Sequence, residues 1–399
     1  MPTKLFSIAV AATAALALAA CGGNGDGGDG GDGGQTGAAG GGLKGQGSGD
    51  SCTISQAVPV GAALSLTGPA GSYGTSQQKG LQLAVEQLNA KSGVKYDLKI
   101  EDDQTDPRQG ITVFEGFVTG GKSVIIGPTL SNTAFQAQPI AQEGKVPVLA
   151  ISNTASGITA PDKDYIFRDS LTEAQVIPQT VKQAKAKFNL SKVVVMYSND
   201  DAFTESGFKV FDEALKAEGV QVLETITFSK ADTDFRALLT QAKGQNPDAL
   251  VVSGLIEAAI PLVTQARELG IDVPIIGGNG FNNPKLMADA GEAAEGVVVG
   301  AAWNSASENE LNAAFLKDFQ TKFNAAPDQF AAQAYTGLML IDHAVRSSCS
   351  GERDAIKDGL SKISNVPTVL GDLSINANRD AEHAAVVQVV EGGKFTVLE

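Results

Sequence analysis

Short β-branched apolar runs alternate with amphipathic stretches along most of this chain. Residues 58–66 have the length and composition of a strand, and 77–89 follow with Leu81, Ala84, Val85 and Leu88 on one helical face. The alternation repeats with a strand near 98–100 and a helix at 107–118, then a strand at 123–126 and a helix at 133–142, and the run 146–151 closes this first series. A second series follows Phe167, with helices at 172–188, 205–218, 235–243 and 258–269 between strands at 193–197, 220–228, 249–253, 274–277 and 296–300. Late helices at 311–323, 329–346 and 353–363 precede two final strands near 385–390 and 394–398. Such alternation implies parallel sheets wrapped by helices. Residues 51–399 are too many for one compact core, so the pattern predicts an α/β protein of two lobes.

The first fifty residues follow a different pattern. Lys4 precedes an unbroken weakly polar to apolar run over 5–20, too short for a membrane span and suited to a secretory leader that is removed. Its end, Leu18-Ala19-Ala20-Cys21, resembles the lipobox of bacterial lipoproteins, which predicts a signal peptide over 1–20 and a lipid on Cys21. From Gly22 to Asp50, 16 of 29 residues are glycine and the only large apolar residue is Leu43. No core forms from such a composition, and 21–53 is expected to be a flexible tether reaching roughly 30 Å.

Charge and cysteine use narrow the chemistry. Without Lys4 the chain carries 29 basic and 45 acidic residues, which argues against nucleic acid or an anionic lipid surface as a partner. Beyond Cys21 only Cys52 and Cys349 remain, an even number that could pair in an oxidising compartment. With only His343 and His383, and no cysteine cluster beside them, neither a metal site nor a cofactor is expected. Residues 116–123 match the phosphate-loop spacing G-x-x-x-x-G-K-S, but a helix runs into them and a strand comes out, the reverse of the order that aims a helix N-terminus at phosphate. In the acidic run Glu101-Asp102-Asp103, Asp106 and Pro107 read as the cap and first residue of a helix, without the spaced ligands of a calcium loop. No activated nucleophile with a placed base is recognisable, so an exported hydrolase is the weaker alternative.

The informative polar residues follow the strands, where open α/β sheets bind ligands. Tyr73 lies in Thr67-Gly68-Pro69-Ala70-Gly71-Ser72-Tyr73-Gly74, Thr129 and Ser131 lie between Gly127 and Thr133, and a third loop holds Ser152, Asn153 and Thr154. The second and third place hydroxyls and free amides at helix starts, a setting suited to a carboxylate.

With these residues the chain resembles the leucine/isoleucine/valine-binding family of ABC-transporter receptors. The likeness rests on Leu66-Thr67-Gly68-Pro69 with Tyr73-Gly74, on residues 102–107, on Ile126-Gly127-Pro128, on Pro147-Val148 leading to Ser152-Asn153-Thr154, and on Phe167-Arg168. The resemblance implies two Rossmann-like lobes with parallel sheets joined by a three-crossover hinge, 54–170 plus 302–363 and 171–301 plus 364–399, with the ligand between them. It implies that Ser131, Ser152 and Thr154 hold an α-carboxylate, Asn153 lying within their motif, and that Tyr73, Thr129 and Phe330 line the side-chain pocket. Where the family often has an acid for the α-ammonium, this chain has Asn279; Phe203 and Leu255 stand where some relatives have tyrosine. The expected ligand is a branched-chain or other amino acid, or else an aliphatic or aromatic carboxylate or an amide, with Asp200, Asp201 or Glu257 as substitutes for the missing acid. The expected partner is an ABC permease, or a sensor of occupancy, served by a lipid-anchored monomer outside the cytoplasm. Cys52 and Cys349, both in the first lobe by the same likeness, are expected to form a disulfide tying the start of that lobe to the end of a late helix.

Overall fold

In the computed structural model, which describes residues 42–399, strand β1 (Val58–Leu64) is buried at every position except Pro59. A strand hidden on both faces belongs inside a sheet covered by helices. It pairs in parallel with β2 (Tyr96–Asp102) and β3 (Val124–Ile126), and β4 (Val148–Ala150) and β5 (Ile166–Arg168) complete the order β2-β1-β3-β4-β5. The intervening helices are α1 (Gly71–Ala90), α2 (Pro107–Thr119) and α3 (Ser131–Glu143). Asp106 caps α2 by accepting from the Arg108 N–H, with Pro107 in the first turn as expected. The phosphate-loop look-alike, residues 116–123, runs from the last turn of α2 to the residue before β3, so it opens no helix.

The second lobe begins with α4 (Glu173–Phe188). Its sheet contains β6 (Lys192–Ser198), β7 (Gln221–Phe228), β8 (Ala249–Ser253), β9 (Ile275–Gly277) and β10 (Val297–Ala301), all parallel. Between them lie α5 (Ala202–Ala217), α6 (Arg236–Gly244), α7 (Ile256–Glu268) and the short α8 (Lys285–Ala290). The chain then returns to the first lobe as α9 (Glu310–Phe323), α10 (Gln329–Ser348) and α11 (Arg353–Leu360). Helices α1 and α10 pack closely because Gly80 has no side chain; a methyl group there would stand 2.2 Å from the carbonyl oxygen of Ala331.

The remaining strands differ from expectation. A small antiparallel sheet of β11 (Val366–Thr368), β12 (Gly371–Ile375) and β13 (Ala381–Glu382) buries Leu373, Ile375 and Ala381 in the first lobe's core. Residues 364–382, expected with the second lobe, therefore pack with the first, and only β14 (Val386–Glu391) and β15 (Lys394–Val397) join the second sheet, antiparallel, with β14 against β10 and β15 at the edge. The chain thus passes between the lobes after β5, β10 and β13. The start of α1 also differs: Gly71 to Gly74 form its first turn rather than an open loop, and a methyl on Gly74 would meet the Ser65 carbonyl oxygen at 1.9 Å.

Residues 42–53, the described end of the expected tether, are docked on the first lobe. Gly45 N–H donates to Cys349 O at 2.8 Å, Gly351 N–H donates to Leu43 O at 2.7 Å, and Gln46 bridges to Thr53. Cys52 and Cys349 are joined in a disulfide with their Cα atoms 5.3 Å apart, inside the first lobe's core. The leader over 1–20, Cys21 and the glycine-rich stretch as far as residue 41 lie outside the described residues.

Candidate functional site

Loops at the carboxyl ends of both sheets line one cavity. Tyr73 follows β1, Thr129 and Ser131 follow β3, and Ser152 follows β4; from the second lobe come Phe203 after β6, Leu255 after β8 and Asn279 after β9, while Phe330 opens α10. All eight were singled out from the sequence, and Leu130 and Gly280 join them. The free space is about 20 Å³, on the scale of one water, so the lobes are shut.

The closure has a specific clasp. Tyr73 Oη donates to the Gly280 carbonyl at 2.6 Å and accepts from the Ile256 N–H at 2.8 Å. Gly280 packs against the backbone of Gly254 in its own lobe, where a methyl would lie 2.4 Å from Gly254 O. Asn132 Nδ2 donates to Asp201 at 2.7 Å while its Oδ1 accepts from the Ala202 N–H at 2.9 Å. Burial and the neighbouring Glu257 carboxyl raise the Tyr73 phenol well above its ordinary pKa, so it stays protonated and able to donate.

The first-lobe wall is assembled by Gln77, a residue that sequence reasoning missed. Gln77 Nε2 donates to Ser152 Oγ at 2.7 Å, its Oε1 accepts from Thr129 Oγ1 at 2.7 Å, Thr129 Oγ1 accepts in turn from the Ser65 N–H at 3.0 Å, and Ser152 Oγ donates to Thr129 O at 2.7 Å. A signal for it existed: Gln77 stands four residues before Leu81, on the face of α1 assigned to the core, where a polar group needs partners. Beside this network α3 begins at Ser131 with no side-chain cap, so its first N–H groups have no helical acceptor and give that end a positive character.

Asn153 and Thr154 do not line the cavity. Asn153 Nδ2 donates to Pro128 O at 2.6 Å and pins the loop after β3. Thr154 Oγ1 donates to Glu173 Oε1 at 3.0 Å, so its hydroxyl is engaged at the crossover. Burial pushes the Glu173 carboxyl up to about 7, against the lowering effects of that hydroxyl and of Arg168. Arg168 pairs with Asp380 and so ties the first crossover to the approach of the third.

The second-lobe wall is apolar at Phe203 and Leu255 and polar at Asn279. Asp200 is engaged elsewhere, for despite partial burial, hydrogen bonds from the Lys230 N–H, Ser229 and Ser198 hold its pKa below the usual range. Asp201 caps α5 through the Phe203 and Thr204 N–H groups and receives Asn132. Glu257 has no side-chain hydrogen bond to another described residue, and burial pushes it up to about 7. It does not line the cavity. Among the described residues no group of three or more histidine, cysteine or acidic side chains is placed to hold a metal ion.

Two α/β lobes, joined by three crossovers and shut over a cavity at the strand ends, have the form of a small-molecule receptor with its site between the lobes. The chain belongs to the periplasmic binding protein family, whose description matches residues 57–394. Members of this family are extracytoplasmic binding proteins of transporters, and the likeness to the leucine/isoleucine/valine-binding proteins is borne out. The Leu/Ile/Val-binding protein BraC3 of Rhizobium johnstonii is 24% identical over 347 residues, covering 86% of this chain and 94% of that protein. The substrate-binding protein LivJ of Streptococcus pneumoniae, solved with isoleucine, is 30% identical with a TM-score of 0.81, covering 85% of this chain and 98% of LivJ. A solute-binding protein of R. palustris, solved with benzoate, shares the fold with a TM-score of 0.79 at 23% identity, over 86% of this chain and 96% of its own.

Proposed function

We propose that this chain is the solute-binding component of an ABC importer and takes the anionic end of a small polar solute at Ser131 and the start of α3. The observation that carries this reading is the juxtaposition of uncapped α3 N–H groups with the Ser131 hydroxyl, which accepts from the Ala155 N–H and donates to no other described residue, in a cavity completed by the other lobe. Tyr73 and Phe330, whose ring centroids lie 4.7 Å apart, form with Phe203 and Leu255 the apolar surround for the rest of the solute. The likeness to LivJ supports an amino acid, branched-chain or other, while the same fold holds benzoate in another neighbour. A permease in the membrane is the intended recipient. The protein acts as a monomer without turnover, and a lipid on Cys21 with the glycine-rich segment behind it anchors it outside the cytoplasm.

A thermal-shift screen of amino acids, their deaminated acids and short amides tests the reading, because a ligand that binds only the folded state raises the melting temperature. At least one acid should shift it, and Ser131→Ala should weaken that acid by about 1–2 kcal/mol in calorimetry. Steady chemical conversion of the ligand by pure protein would instead establish a hydrolase.

A further inference from the structure

Five buried carboxamides run in an unbroken chain from the cavity to the crossover after β10. Asn279 Oδ1 accepts from Gln329 Nε2 at 2.7 Å, Gln329 Oε1 accepts from Asn282 Nδ2 at 2.6 Å, Asn282 Oδ1 accepts from Gln388 Nε2 at 2.8 Å, and Gln388 Oε1 accepts from Asn304 Nδ2 at 2.5 Å. Each of the five is at most 8% exposed. An amide's oxygen and nitrogen are told apart by their partners, and a backbone N–H can only donate. Two such donors set the direction of this chain. The Ala302 N–H donates to Gln329 Oε1 at 2.7 Å, and the Ala306 N–H donates to Asn304 Oδ1 at 2.8 Å. Gln329 must therefore turn its NH₂ toward Asn279, and Asn279 must meet it with oxygen. Reversing any member sets donor against donor somewhere along a buried line, where an unmade hydrogen bond is expensive.

Asn279 lines the cavity, and its Nδ2 bonds to no other described residue. We infer that Asn279 acts on the solute only as a donor, so the site selects an acid bearing an acceptor, a keto or other carbonyl oxygen, where an amino acid would carry its ammonium. This rests on the proposed receptor function and narrows its ligand class. An ammonium beside the NH₂ group would be a desolvated cation facing a donor. Gln329, which enters from the first lobe behind Asn279, is a positioning residue for this selection.

Matched pairs of probes read the polarity directly: leucine with 4-methyl-2-oxopentanoate, and phenylalanine with phenylpyruvate, by calorimetry on the full mature chain. The oxo acid should bind at least about tenfold tighter in the better pair. Gln329→Glu keeps the acceptor for Ala302 and Asn282 but removes the donor to Asn279. Asn279 then turns its oxygen to the cavity, and the preference should shift toward the amine by about tenfold. Asn279→Asp, which retains the bond from Gln329, should shift it the same way and serves if the first variant does not fold. A purely structural role would weaken both members of a pair equally. Tighter amino-acid binding by wild type, or a ratio unmoved in either folded variant, overturns the assignment while leaving the receptor function standing. Failure of every acid to bind wild type overturns both.

Discussion

The two walls of the cavity are built in opposite ways. On the first lobe, Thr129 and Ser152 are oriented by Gln77 from within the same lobe, and α3 begins beside them. Nothing in that arrangement depends on the second lobe. On the other side, Gly280 and Ile256 are held by Tyr73, Asp201 by Asn132, and Asn279 by Gln329, all partners from across the cleft. The first wall makes these hydrogen bonds within its own lobe, so on the proposed reading its anion site is complete whether the lobes are apart or together; the second acquires its final hydrogen bonds on closure. A solute can therefore dock by its charged end first and be judged by the second wall as the hinge shuts.

The largest effect is expected where the walls meet beside the hinge, at Thr154 and Glu173. The folded pKa of Glu173, raised by burial to about 7, exceeds its unfolded value, so the folded state holds more protons between about 4.5 and 7. Its contribution to stability is full below that window and is lost as pH rises through it. Glu173→Gln should remove this loss. The stability of wild type relative to the variant should fall by about 3 kcal/mol from pH 4.5 to pH 8, measured by denaturant melts across the range. A constant difference would mean that this seam is not neutral, and that Thr154 meets a carboxylate there instead.

Next in size, Gln77→Leu should break the first wall alone. Loss of the buried amide leaves Ser152 and Thr129 short of partners, and affinity for any carboxylate solute should fall by about 2 kcal/mol. The acid-to-amine preference should not change, since Asn279 and Gln329 are untouched. A changed preference would show that the walls are coupled in a way their hydrogen bonds do not indicate.

This asymmetry also explains what could be read from the sequence. The residues after β1, β3 and β4 were legible because small polar side chains directly follow short β-branched runs, and the strand ends of an α/β sheet converge. Gln77 was passed over because a glutamine in a helix ordinarily faces water, although its place on the core face of α1 called for partners. The carboxamide chain was not legible, for its members come from four separate segments, 279 with 282, then 304, 329 and 388, and are joined only through the tertiary fold. The segment 364–382 was misplaced because its short strands lack a strong period, and only their burial against α9 to α11 assigns them to the first lobe. Thr154 sits within its motif as expected, but a buried acid 19 residues away takes its hydroxyl.

The smallest effect should come from the clasp. Tyr73→Phe keeps the ring against Phe330 and removes only the hydroxyl, which in the closed form serves both the Gly280 carbonyl and the Ile256 N–H. Opening the cleft returns both backbone groups to water, so the variant loses stability in the closed state and little in the open one. Affinity for every solute should drop by about 1–2 kcal/mol, mostly through faster release, because closure follows docking on the first wall. Stopped-flow release rates measured beside equilibrium affinities separate the two contributions. If association slows as much as release quickens, Tyr73 takes part in the first encounter, and the division into a finished wall and a closing wall has been drawn in the wrong place.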